Sequence, residues 1–255
     1  MIKNIFDSHA HYDDEDFDED RNKLLLNMAD NGIEYILNAS SDIVSSRNSV
    51  DLAEKCPFIF AAVGVHPQSA QTYSDEIEAE LIELSKLKKV VAVGEIGLDY
   101  HYDDTNKIFQ LIAFEKQLRL AEELDLPVII HSRDATEDTL SLLKKYKPRG
   151  VVHCFSGSAE TAAEIIKLGM YIGFTGVITF KNAKRAIEAA KIIPLDKLLV
   201  ETDCPYMAPV PFRGERCNST MLQSTLEKLA EIKEISPQDL ANITNTNAKK
   251  LFKIF

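Results

Sequence analysis

Short apolar runs recur about every thirty residues along the chain, each followed by a stretch whose apolar positions repeat at helical spacing. The runs predict strands at Ile5–His9, Ile33–Ala39, Phe58–Val65, Val90–Glu95, Val128–His131, Gly150–His153, Tyr171–Gly173 and Leu198–Thr202. Between them the spacing predicts helices, among them Asp20–Asn31, Thr105–Leu124, Ala135–Tyr146, Ala159–Lys167 and Ala183–Ile193. Strand–helix alternation brings the chain back to the same end of a sheet each time, so the strands are expected to be parallel. Eight repeats in 255 residues fit an α/β fold closed into a single (β/α)8 TIM barrel. An open doubly wound sheet would call for a glycine-rich phosphate turn after the first strand, and "DSHAHYDD" contains no glycine. No linker or low-complexity segment interrupts the series, and residues 1–255 are expected to form one domain.

Polar residues gather where the predicted strands end: "DSHAH", "LNASSD", "GVHPQ", "GEIGLDY", "IIHSRD", "VHCFSG", "GFTG" and "ETDCP". In a barrel these ends converge on one rim, the place where such folds carry their chemistry. Five of the six histidines fall there, namely His9, His11, His66, His131 and His153, whereas His101 reads as an exposed loop residue. Asp7, His9 and His11 alternate, which on a regular strand would set them on one face. One His-x-His motif is equally consistent with a polar loop after a strand. Six donors at strand ends, His9, His11, Glu95, His131, His153 and Asp203, point instead to a metal site. Four imidazoles exceed what one open site needs, and a second cation fits if a carboxylate bridges the two. Glu95, between the two histidine pairs, is the natural bridge.

Charge narrows the partners. Against 29 basic residues stand 40 acidic ones, a formal charge of −11, which excludes broad nonspecific duplex binding but suits bound cations. The acidic run Asp13–Asp20 reads as a solvated loop and helix start. Cys56, Cys154, Cys204 and Cys217 lack CxxC spacing and read as reduced thiols. Cys154 and Cys204 each adjoin a proposed ligand and are expected to point toward the helices. The opening "MIKNIFDSHA" shows neither an export signal nor a membrane span, so a cytoplasmic protein with no membrane association is expected. No obligate protein partner is evident.

Three stretches, "IFDSHAHYD", "PVIIHSRDATE" and "VETDCPYMAP", with "GVHP", "GEIGLDY" and "HCFSG" between them in order, resemble the TatD family of metal-dependent deoxyribonucleases. The resemblance spans nearly the whole chain and implies two divalent ions, from among Zn, Mn, Ni, Fe or Mg. It assigns His9, His11, Glu95 and Asp203 to one ion and Glu95, His131 and His153 to the other. It also implies DNA as substrate, trimmed 3′ to 5′ from single-stranded ends. A water between the cations would ionise near neutral pH, with Glu95 and Asp203 as catalytic residues and Asp203 as the base. Phosphates would be held by Arg133, then Arg213 and Arg216, with His66 as a donor. Gly157 would free backbone amides to face an anion. Ion pairs with Asp134 and Glu215 are the alternative for the arginines. Glu201, inside an apolar strand, is expected to be internally paired behind the ligands. After "VPFRGER" the family often continues Asn-Glu-Pro where this chain has "CNST" (Cys217–Thr220), which puts substrate contacts there in question. Cleavage of an amide, lactone or ester such as an aminoacyl-tRNA link is the alternative activity, and an inactive metal-binding barrel is the other.

Overall fold

The structure is a computed structural model and describes residues 1–102 and 106–254. Its strands are β1 (Ile5–Ala10), β2 (Ile33–Asn38), β3 (Ile59–Val63), β4 (Val90–Asp99), β5 (Val128–Arg133), β6 (Gly150–Val152), β7 (Tyr171–Phe174) and β8 (Leu198–Val200). They form one parallel sheet in the order of the sequence. The ring is completed just beyond the strands: Asp203 N donates to the His9 carbonyl at 3.0 Å, and His11 N to the Cys204 carbonyl at 2.9 Å. The result is the (β/α)8 barrel that the alternation predicts. Its helices are α1 (Arg21–Leu26), α2 (Ile43–Lys55), α3 (Asp75–Ser85), α4 (Lys107–Glu123), α5 (Thr136–Tyr146), α6 (Ala159–Lys167), α7 (Lys184–Ile192), α8 (Leu222–Lys233) and α9 (Pro237–Phe252). Among the described residues no helix is long and apolar enough to cross a membrane.

Several boundaries differ from expectation. The helix predicted over Asp20–Asn31 stops at Leu26 and resumes as a 3-10 turn at Ala29–Asn31, closed by Gly32 at φ +83°. The predicted start of the fourth helix, Thr105, lies outside the described residues; α4 is capped by Asn106, whose side chain accepts from Phe109 N. Strand β4 runs four residues past Glu95, to Asp99. Gly97 allows this, because at φ +143° a Cβ there would lie 2.0 Å from the His131 carbonyl oxygen. The last helix has no strand after it. Its Leu251 and Phe252 join Phe6 in the apolar cluster inside the barrel.

Alternation is regular on β5, β6 and β8. Ile129, Val151 and Leu199 fill the barrel interior, while Ile130, Val152, Leu198 and Val200 pack against the helices. The next inward positions are His131, His153 and Glu201, which is how the sequence lifts polar groups above an apolar plug. Strand β1 is irregular, with its register against β2 shifting between Asp7 and Ala10. Asp7 accepts from Thr202 Oγ1 (2.7 Å), Thr202 N (3.0 Å) and Ser219 Oγ (2.6 Å). His9 instead stacks on the His153 ring, centroids 4.0 Å apart. The single face expected for Asp7, His9 and His11 is therefore not formed, because a register shift breaks the period of two.

Ser219 belongs to the "CNST" segment. Its amide donates to the Tyr12 hydroxyl at 2.8 Å, and Cys217 and Ser219 are both buried. The segment that departs from the family pattern is thus packed beneath β1. Asp7→Ala would strip three buried donors of their acceptor and is expected to cost about 3 kcal/mol of unfolding free energy. Urea denaturation checks this; an unchanged midpoint would show the donors find partners elsewhere.

Candidate metal centre

The six proposed donors meet at the carboxyl end of the barrel, and Glu95 stands between two sets of them. Its Oε2 lies 3.2 Å from His9 Nε2 and 3.7 Å from His11 Nε2. Asp203 Oδ1 lies 3.6 and 3.3 Å from the same two nitrogens, which are 3.0 Å apart. The other Glu95 oxygen, Oε1, lies 2.6 Å from His153 Nε2, 2.7 Å from His131 Nδ1 and 3.6 Å from His66 Nε2. Three overlapping sets have donor atoms within 4.8 Å of one another: His9–Glu95–His153, His9–His11–Asp203 and His66–Glu95–His131. Imidazole lone pairs and carboxylate oxygens converging at this spacing fit divalent cations.

Ring orientations support that fit. His11 Nδ1 is 2.9 Å from the Ala39 carbonyl, which can only accept, so in the neutral ring the proton sits on Nδ1 and the lone pair on Nε2 faces Glu95 and Asp203. His66 is the opposite case. Its Nδ1 accepts from Gln68 N at 3.2 Å, leaving the proton of the neutral ring on Nε2, aimed inward. That makes His66 a donor and a poor ligand. Burial, despite nearby Glu95, pushes its pKa down to about 3, so it stays neutral. Behind His131, Asp99 Oδ2 lies 3.3 Å from Nε2, within ion-pair range but not aligned as a hydrogen bond. Burial opposes charge on His131, yet Asp99 and Glu95 outweigh it and hold its pKa up at about 9. Behind His153, Glu201 Oε1 lies 3.7 Å from Nδ1, its carboxylate held by Cys154 N and Ser8 Oγ. Gly173 makes room for Glu201, since a Cβ there would come 2.4 Å from Oε2. Burial would favour neutral Glu95 and Asp203, but the imidazoles around them hold both carboxyls below the ordinary range.

A cleft of about 620 Å³ opens over these groups, and Arg133, His66, Asp13 and Asp14 line it with His11, Glu95, His131, His153 and Asp203, while His9 is buried beneath. Arg133 forms no ion pair with Asp134, which meets His101 Nδ1 at 2.9 Å instead. The other candidates lie elsewhere. Arg213 stacks on Phe180 at 3.8 Å, and Arg216 pairs with Asp20 at 2.6 Å rather than with Glu215. Gly157 lines a separate small cavity beside Phe155 and Thr161. Neither arginine nor Gly157 lines the cleft, so their expected phosphate contacts have no support in the geometry. Cys204 is buried in the core between barrel and helices, as its parity implies. Asp99, Asp13 and Asp14 are the residues that sequence reasoning missed. Asp99 had a usable signal, lying four residues after Glu95 on the same polar strand end.

The family model of TatD related DNase matches residues 6–253. "Uncharacterized metal-dependent hydrolase YabD" of Bacillus subtilis is 43% identical over 98% of this chain and 99% of its own length. "3'-5' ssDNA/RNA exonuclease TatD" of Citrobacter rodentium is 33% identical over 98% of each chain. The crystal structure of YjjV, a TatD homologue from Escherichia coli, superposes with a TM-score of 0.94 at 33% identity and covers 100% of both chains. The chain belongs to the TatD-related DNase family of metal-dependent hydrolases.

Proposed function

We propose that the chain hydrolyses phosphodiester bonds of DNA, trimming single strands from the 3′ end, with residues 1–255 as one catalytic domain. His9, His11, Glu95 and Asp203 would hold one divalent cation, and Glu95, His131 and His153 a second. The observation that carries this reading is Arg133. Among the described residues no carboxylate is in ion-pair contact with its guanidinium, which lines the same cleft as the donor sets. A cationic fork beside a cation-binding cluster, in a strongly acidic protein, suits an anionic substrate. The Citrobacter relative's name points the same way.

Bound cations would supply positive charge against the phosphoryl oxygens and acidify a water in the cleft. The chain's own residues do the rest. Arg133 grips a nonbridging phosphate pair through two parallel hydrogen bonds, and His66 Nε2–H donates to the same anion. Asp203, ionised and open to the cleft, takes a proton from the attacking water as that water's oxygen bonds to phosphorus and the bond to the leaving sugar oxygen breaks, and the leaving oxygen is protonated from solvent.

Cleavage of 5′- or 3′-labelled single-stranded DNA with and without added Mn²⁺ or Zn²⁺, beside a panel of amides and esters, tests this. Arg133→Ala is expected to raise KM for DNA about tenfold or more with metal content unchanged, and Arg133→Lys to recover part of that. Wild-type DNA cleavage by Arg133→Ala, together with collapse of ester or amide hydrolysis, would replace the nuclease reading with an amidohydrolase one.

A further inference from the structure

A second cavity of about 530 Å³ adjoins the cleft, and Gln68 and Tyr102 line both. Its remaining wall includes Gln71, Asn106 and Phe109. Two aromatic side chains stand open there, Tyr102 at 47% and Phe109 at 48% exposure, although burying such rings is ordinarily favourable. Both sit beside carboxamides that donate and accept alike. Planar aromatic faces flanked by carboxamides match a flat ligand with hydrogen-bonding edges.

We propose that this second cavity seats a nucleobase of the nucleotide flanking the scissile phosphate; the inference rests on the phosphodiester reading above. The layout divides the labour. Arg133 Nη1 is 3.4 Å from the Tyr102 hydroxyl, and its guanidinium lies 5.5 Å from the Tyr102 ring centroid. The phosphate grip and the base seat therefore share one wall. Stacking on an aromatic face is tolerant of base identity, so this seat would select a strand with unpaired bases without reading its sequence. A duplex end keeps its bases paired and stacked, and could not offer one to the cavity without opening.

The test uses metal-loaded full-length protein and oligonucleotides with an abasic residue at either position flanking the terminal phosphodiester. For the wild type, one of the two abasic positions is expected to raise KM about tenfold, the scale of one lost base–aromatic stack. Phe109→Ala should raise KM by a similar factor on the intact oligonucleotide and then lose its sensitivity to that abasic position. Ile112→Ala, exposed on the same helix but outside the cavity, should retain full discrimination. The inference is overturned if neither abasic position changes KM, if Phe109→Ala still discriminates in full, or if Ile112→Ala matches Phe109→Ala. Those failures leave DNA cleavage intact and strike this inference alone. Absence of any DNA cleavage by the metal-loaded protein would remove the phosphodiester reading, and the base seat with it.

Discussion

Asp203→Asn is expected to lower kcat on single-stranded DNA by roughly a hundredfold or more while KM changes little. Asp203 sits in the left-handed region at φ +61°, tied by its amide to the His9 carbonyl and by its own carbonyl to Tyr206 N. Asparagine tolerates that conformation as well as aspartate does, so the backbone that closes the ring between β8 and β1 should survive. The side-chain amide keeps an oxygen for contacts with His9 and His11 but has no basic site for a proton. A loss confined to kcat, with metal content preserved, marks a group that acts in the transition state. Initial rates at saturating metal, with metal analysis of the same preparation, make the measurement. Near-normal kcat would remove Asp203 as the base and leave it only a structural role.

The barrel could be read from the chain because its cause is local: each apolar run and each helical repeat declares itself within a dozen residues. The convergence of His131 and His153 was also legible, since regular strands keep a strict period of two. Legibility failed where one residue's role depends on another far away in sequence. Arg216 looks like a phosphate ligand until Asp20, 196 residues earlier, closes on it. Asp7 looks set to share a face with His9 and His11 until the register shift in β1 turns it onto Thr202 and Ser219. Asp13 looks like one more solvated acid, yet its oxygens accept from Asn38 Nδ2 at 2.7 Å and Ser45 Oγ at 2.6 Å at the edge of the cleft. No composition or spacing rule carries that information.

The largest loss is expected from Glu95→Gln. Glu95 is nearly fully buried, and its two oxygens face opposite ways, Oε2 toward His9 and His11, Oε1 toward His131, His153 and His66. No other carboxylate in the cluster touches both sides; Asp203 reaches only the His9–His11 pair. The isosteric amide keeps the volume but replaces an anionic oxygen with an NH2 that must point at one imidazole set. Whichever way it turns, one set faces a donor and loses the negative charge that would hold a cation. On the two-cation reading proposed above, the prediction is a fall from two bound divalent ions per chain to one or none, and a drop in kcat/KM of about three orders of magnitude or more. Metal analysis after dialysis, paired with DNA cleavage, reads both at once. Because the side chain keeps its shape, circular dichroism should stay that of the wild type, which separates lost metal from lost fold. Two ions retained per chain in Glu95→Gln would end the bridging role and require each histidine set to hold its ion without a shared carboxylate.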